Sequence, residues 1–268
     1  MPFCWYHIIS KAHNRDRIIS LYLVEYYPIP AMTNCKNCNT AFTGNFCPQC
    51  GQKADTHRFT THHLVHELIH AVTHADKSIF GFIKAMLTHP GQTVKNYLEG
   101  QRKRYFNPFT AFILMVGFQI IVLGLVKHPV RVGASPEELR GIRIEEFIHH
   151  NLKLMFVALL PFLSFLTWLF YRRYNYAEHF VLNVFNAGII SLLFTILYAI
   201  AGFIFHVDSA ALGYFNFAIS FLYPIWVMWV LFADLPWWRI ILYEFLISII
   251  YYAFTIALGG LMVAIFVP

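Results

Sequence analysis

Five long apolar runs constrain the fold of this chain more than any other feature of its sequence. A membrane-spanning helix needs about 20 mainly apolar residues, within a range of roughly 17–25. The runs are continuous and do not alternate, so a strand pattern does not describe them. They comprise residues 110–126, 152–171, 180–205, 213–233 and 240–267. We therefore predict an all-α polytopic membrane protein with about five transmembrane helices.

The composition supports the same class of protein. Of the 268 residues, 58% are hydrophobic and only 13% are charged, whereas soluble domains are about 45–50% apolar and roughly 25% charged. A surface with so few charges is not built to face water alone. The composition therefore excludes a disordered chain, a small disulfide scaffold and an ordinary soluble enzyme.

The distribution of lysine and arginine predicts the orientation in the membrane. Basic residues are frequent before the first apolar run and directly after the second, and cytoplasmic loops carry such an excess. We therefore expect a cytoplasmic N-terminus, although the basic residues of the 127–151 loop oppose it. Arg102, Lys103 and Arg104 lie just before the first run, and we expect them to contact anionic lipid headgroups. Nucleic acid is the less favoured partner.

The sequence divides into four predicted parts. Residues 1–31 match neither a spanning helix nor a signal peptide; we interpret them as an extension from a wrongly chosen start codon or, alternatively, as a real but poorly ordered tail. Residues 32–54 are predicted to form a metal-binding knuckle, and residues 55–109 a cytoplasmic segment of amphipathic and basic helices. Residues 110–268 form the predicted transmembrane bundle.

Two C-x-x-C pairs predict a metal site. Cys35 and Cys38 form the first pair, and Cys47 and Cys50 form the second. Two such pairs can complete a tetrahedral S4 site for structural Zn²⁺, and Gly51 relieves the tight turn after the last cysteine. Disulfides are disfavoured in a reducing cytoplasm, and a thioredoxin-type redox pair would need a βαβ context. We therefore expect a zinc-ribbon-like knuckle that binds one Zn²⁺ per chain.

A row of histidines follows the knuckle. His62, His66, His70 and His74 recur at four-residue steps and would lie along one helix face. Within the row, His66, Glu67 and His70 match the H-E-x-x-H pattern, in which two histidines bind zinc and the glutamate acts as general base. A segment so rich in histidine matches this five-residue pattern readily by chance. A catalytic zinc also needs a closed cavity in which further residues support its ligands. We favour a polar, pH-sensitive helix face over regulatory metal binding and over a metalloprotease.

Several ionisable or amide side chains lie in the predicted spans, where such residues are functional candidates. His179, Asn183 and Asn186 share one face of the third predicted helix, with Glu178 beside them, and Glu244 lies in the fifth. We hypothesise that Glu244 meets the face of His179 and Asn183 in a polar pocket. Hydrogen bonding between helices, typically worth about 0.6 kcal/mol per contact, is the favoured interpretation. A substrate or proton site is the alternative.

The succession of motifs resembles a known family. Residues 47–52 read C-P-Q-C-G-Q and are followed by T-H-P-G at 88–91, Y-L-E-G-Q-R-K-R-Y at 97–105 and N-P-F at 107–109. This order is similar to that of uncharacterised Bacteroidota membrane proteins, which join a zinc-ribbon-like motif to a P-G…Y-x-x-G-x-R…Y-x-x-P segment and several spans. The resemblance implies this architecture and a bacterial inner membrane, but no activity.

Three functions follow in order of preference. The leading prediction is a non-enzymatic inner-membrane protein whose cytoplasmic zinc-ribbon module recruits a protein partner, with homo-oligomerisation left open. The second is a transporter or permease-like component built on the intramembrane polar residues, although no inverted repeat is visible in the sequence. The third is the H-E-x-x-H membrane metalloprotease.

Overall fold

The computed structural model describes residues 32–56, 58–61, 79–125, 144, 157–203 and 209–266. Residues 1–31 and the histidine row at 62–74 lie outside them, so the interpretation of both stays a prediction. The elements, in chain order, are β1 (Thr33–Asn34), β2 (Ala41–Phe42), α1 (Ile79–Thr88), α2 (Pro90–Leu98), a 3-10 turn (Arg102–Arg104), α3 (Pro108–Leu125), α4 (Val157–Phe170), α5 (Tyr176–Phe203), α6 (Ser209–Leu231) and α7 (Trp237–Phe266).

The fold belongs to the predicted all-α membrane class. Four helices, α3, α5, α6 and α7, are long and apolar enough to cross a membrane. The strands of the described residues form a single two-stranded antiparallel sheet. The described residues therefore contain four candidate spans, whereas the sequence predicted about five. The remaining predicted run, 152–171, contains α4, which has fewer than 18 described residues; residues 152–156 lie outside the described part of the chain.

Capping explains where α2 begins and ends. The helix begins at Pro90, whose fixed φ suits a first helical turn. It ends in a Schellman motif, in which the Gln101 N–H donates to the Asn96 carbonyl at 2.9 Å and the Gly100 N–H donates to the Tyr97 carbonyl at 3.2 Å. Gly100 has a φ of 110°, a conformation that residues with side chains rarely adopt. A sharp turn therefore separates α2 from the first span.

The spanning helices pack around one shared core. α3 packs along α5, α5 packs against α6, and α6 packs against α7. The core extends from Phe59 and Phe82 through the spans to Tyr251. Of the most apolar stretch of α7, only 11% is buried, which leaves a helix that is apolar all round to face the bilayer.

The hairpin formed by α1 and α2 packs against the side of this bundle. A Cβ added to Gly91 of α2 would come within 2.4 Å of the Cβ of Val230 in α6, so the two helices are in close contact. The Tyr223 hydroxyl of α6 donates to the Met86 carbonyl of α1 at 3.0 Å. Tyr223 lies about 12 Å along α6 from its C-terminal end at helical rise. Phe59 and the buried residues of α1 and α2 therefore share a core with the spans, and the cytoplasmic location of residues 55–109 stays a prediction.

Candidate metal centre

The four cysteines of the two knuckles converge on one point. Their Sγ atoms all lie within 4.8 Å of one another, and the Cys35–Cys50 and Cys38–Cys47 sulfur pairs are each 3.5 Å apart. Four sulfurs bound tetrahedrally to one Zn²⁺ at about 2.3 Å would be about 3.8 Å apart. All four are free thiols, so their donor set and spacing fit a metal ion. The choice of zinc remains a prediction.

The two knuckles repeat the same backbone geometry. In each, the residue after the second cysteine has a positive φ, 60° at Asn39 and 69° at Gly51, and glycine and asparagine tolerate that conformation best. In each, the N–H of that residue donates to the carbonyl of the first cysteine at 2.8 Å. The turn predicted at Gly51 is therefore present, and Asn39 performs the same role in the first knuckle.

The environments of the thiols differ across the site. A hydrogen bond with Thr40 lowers the pKa of Cys38 to about 6, and its Sγ lies 3.3 Å from the Thr40 hydroxyl oxygen. Burial raises the pKa of Cys35 to about 11. Metal ions bind thiolates, so Cys38 is prepared to bind an ion at neutral pH, whereas Cys35 needs the charge of the ion to lose its proton.

Gln52 fastens the second knuckle to the turn before the first span. The residue is 3% exposed, its Nε2 donates to the Gly100 carbonyl at 2.8 Å, and its Oε1 accepts the Lys103 N–H at 3.3 Å. Lys36 of the first knuckle lies against the same turn, since a Cβ on Gly100 would come within 2.9 Å of Lys36 Cδ. Both knuckles therefore contact the Gly100 turn.

Phe59 anchors the segment after the knuckle in the core. It is 1% exposed, stacks on Tyr97 with ring centroids 5.8 Å apart, and has the Arg102 guanidinium 3.8 Å from its ring centroid. This cation–π contact joins Arg102 to the protein, and its contact with lipid stays a prediction. Lys103 and Arg104 are exposed, and their contact with lipid stays a prediction.

Glu178 lies in the first turn of α5. Asn175 and Glu178 form a capping box, in which each side chain accepts the backbone N–H of the other at 2.9 Å. Arg58 donates two hydrogen bonds to the Glu178 carboxylate, at 2.7 and 2.6 Å. This contact raises the pKa of Arg58 above its ordinary value. Glu178 thus joins the segment after the knuckle to the bundle.

We expect Glu178→Ala to lower the free energy of unfolding by about 2–4 kcal/mol. The change removes a capping bond, worth about 1 kcal/mol, and charge-assisted bonds worth about 1.5–3 kcal/mol, which the 65% exposure of the Arg58 side chain weakens. Asp234→Ala is the matched control, because the Arg173–Asp234 pair at 2.9 Å is exposed on both sides and should contribute at most about 1 kcal/mol. Denaturation of the purified protein in detergent measures both variants, and equal small losses would contradict the prediction.

His179 and Asn183 bond to α4 and its C-terminal end. His179 Nε2 donates to the Tyr171 carbonyl at 2.7 Å, and Asn183 Nδ2 donates to the Thr167 hydroxyl at 2.9 Å. Glu244 interacts with the Tyr171 side chain. Tyr171 therefore interacts with both His179 and Glu244, and the hypothesised polar pocket of Glu244 with His179 and Asn183 stays a prediction.

In the described spanning helices, three buried polar residues have side-chain atoms without a hydrogen-bond partner. In the part of the chain that the structure describes, no hydrogen-bond partner is found for His179 Nδ1, for either side-chain atom of Asn186, or for Glu244 Oε1. Such atoms are costly in an apolar environment. These unpaired atoms support the alternative of a substrate or proton site within the membrane.

The sequence prediction missed four of the residues that join these parts. The Asn175-x-x-Glu178 spacing is a recognisable capping box and would have identified Asn175 as the residue that caps α5. Gln52, Phe59 and Tyr171 have no comparable signal, because their partners lie far away in sequence or on another helix.

These features define a class, a polytopic membrane protein with a four-cysteine site docked on the segment before its first span. Residues 76–120 match a family described as "Protein of unknown function (DUF3667)". The match supports the resemblance to an uncharacterised family, and it covers α1, α2 and most of α3. No curated protein and no solved structure matches the chain.

Proposed function

We propose that this chain is a non-enzymatic scaffold of a bacterial inner membrane, with a cytoplasmic N-terminus and a Zn²⁺-bound knuckle that binds a protein partner. The observation that carries the proposal is the fixed position of the knuckle. Gln52 and Lys36 hold it on the Gly100 turn, and Phe59 and Arg58 hold the segment that follows. A module attached in this way presents one defined surface to a partner.

An exposed aromatic side chain marks the proposed contact surface. Phe46 is 63% exposed, although the next residue, Cys47, is 1% exposed and belongs to the metal site. Exposed aromatic residues on a rigid support are frequent anchors of protein interfaces. The backbone bridge between Phe46 and Lys53 supports the backbone from which this ring projects.

We expect a photo-cross-linking amino acid at position 46 to form an adduct of discrete mass in living cells. The adduct should disappear in a chain that also carries Cys50→Ser, because loss of the metal releases the loop. Position 214 serves as the control. Tyr214 is 79% exposed but lies near the N-terminal end of α6, whereas α2 contacts α6 near its C-terminal end, at Val230. Gel analysis followed by mass spectrometry gives the readout. Equal adducts from both positions, or an adduct that survives Cys50→Ser, would contradict the proposal.

A transporter-like component is the second candidate. It is supported by the unpaired buried atoms of His179, Asn186 and Glu244, since polar groups within spans often mark substrate or proton pathways. The bonds from His179 and Asn183 to α4 and its end favour helix-to-helix contact, which ranks this candidate second. The metalloprotease stays third on the sequence grounds given above, and His66, Glu67 and His70 lie outside the described residues.

A further inference from the structure

A groove of about 650 Å³ lies between α1, α2 and residues 104–106. We call it the hairpin groove. Among the residues described around it, the charged ones are Lys84 and Arg104, and none is acidic. A Cβ added to Gly81, which forms part of the wall, would meet nothing within 4 Å. The groove is therefore open and positively charged.

The polar wall of the hairpin groove is held in place by a chain of hydrogen bonds. Gln92 Nε2 donates to Asn96 Oδ1 at 2.7 Å, and Asn96 Nδ2 donates to the Tyr105 hydroxyl oxygen at 3.0 Å. Because that oxygen accepts a bond from Asn96, the hydroxyl proton can be donated to a ligand oxygen. Two cations and an oriented hydroxyl group are suited to an oxyanion such as a phosphate.

The outer face of α1 indicates where such a phosphate comes from. Phe80, Lys84 and Leu87 are spaced four and three residues apart and share one face; Phe80 is 80% and Leu87 is 39% exposed. Phe82 and Met86 are buried in the core. A helix with a cation among exposed apolar side chains is typical of the membrane interface. Lipid is therefore the ligand source that this face favours.

We propose that the hairpin groove binds the headgroup phosphate of an anionic phospholipid. Lys84 and Arg104 neutralise the phosphate, Tyr105 donates a hydrogen bond to it, and the acyl chains run past Phe80 and Leu87. The family match at residues 76–120 contains every residue that lines the groove, so the site belongs to the segment that the family shares. The proposal requires a chain inserted in a membrane, but it does not depend on the metal knuckle.

Native mass spectrometry of the full-length protein in detergent tests the site. The probes are phosphatidylglycerol and phosphatidylcholine with identical acyl chains. We expect the unmodified chain to retain phosphatidylglycerol in preference to phosphatidylcholine. In Lys84→Ala/Arg104→Ala the ratio of retained phosphatidylglycerol to retained phosphatidylcholine should fall about tenfold. Lys53→Ala/Arg239→Ala is the matched control, since it removes two exposed cations outside the groove and should keep the preference. Gly81→Leu fills the groove without changing any charge and should also lose it.

Three outcomes would overturn the proposal: an equal loss in the two double variants, unchanged binding by Gly81→Leu, or displacement of the lipid by an equal concentration of soluble glycerol phosphate. The first would show a general attraction to basic residues, and the third a site for free phosphate esters. The metal content of the same samples reports on the knuckle separately. Retained lipid with no metal would contradict the proposed scaffold and leave the groove supported.

Discussion

Cys47→Ser is expected to abolish metal binding and to release residues 32–56 from the rest of the protein. The four sulfurs lie within 4.8 Å of one another, and a structural zinc contributes about 10–16 kcal/mol to the folding of a small knuckle. A knuckle without its ion cannot keep Gln52 on the Gly100 turn. Elemental mass spectrometry should find one ion per chain before the change and none after it, while limited proteolysis should show new cleavage between residues 32 and 56.

Cys4→Ser is the matched control for this experiment, because it makes the same chemical change outside the knuckles and should leave the metal content unchanged. His66→Ala/His70→Ala should also retain one ion. A Cys47→Ser chain that keeps its metal would contradict the four-cysteine site. Two ions in the unmodified chain, with one lost in the histidine variant, would establish a second metal site and make hydrolase chemistry the leading alternative.

Gly91→Ala is expected to lower the stability of the bundle more than any other single-methyl change at the described glycines. The added Cβ would lie 2.4 Å from the Cβ of Val230 and 2.9 Å from the carbonyl oxygen of Val227. Neither atom is at the end of a flexible side chain, so α2 must move away from α6. Overpacking typically costs about 1–3 kcal/mol, and a required helix shift places this variant at the upper end.

Gly81→Ala provides the comparison, because it adds the same methyl group to the neighbouring helix, where nothing lies within 4 Å. That variant should be neutral or more stable, since alanine favours a helix by about 1 kcal/mol over glycine. Thermal unfolding in detergent, followed by circular dichroism, measures both variants. Equal unfolding midpoints would contradict the close approach of α2 and α6.

The features that the sequence predicted correctly depend on local patterns. Continuous apolar runs identify helices α3, α5, α6 and α7 because a bilayer demands a fixed length of apolar helix. The cysteine spacing predicted a common site because a C-x-x-C turn brings its own thiols together. In both cases the physical constraint lies within a short stretch of chain.

The features that were missed depend on distant contacts. The pattern of residues 55–109 predicted amphipathic and basic helices, but it did not indicate that Phe59 and Phe82 are buried in the same core as the spans. No sequence pattern indicated the bond from His179 to the Tyr171 carbonyl or the interaction of Glu244 with the Tyr171 side chain, and the pocket hypothesised for Glu244 and His179 stays a prediction. Helix rotation and depth decide such contacts, and composition does not reveal either of them.

The contacts of Gln52 limit how this protein can be divided or recombined. Because its amide group bonds to the carbonyl of Gly100 and to the N–H of Lys103, the knuckle has no natural cut point between itself and the first span. A truncation after residue 56 would leave the amide group of Gln52, which is buried in the intact chain, without these two hydrogen-bond partners. A chimera that takes the cysteine module from a relative would therefore need to import the Gly100 turn as well, so that both halves of the junction come from one parent.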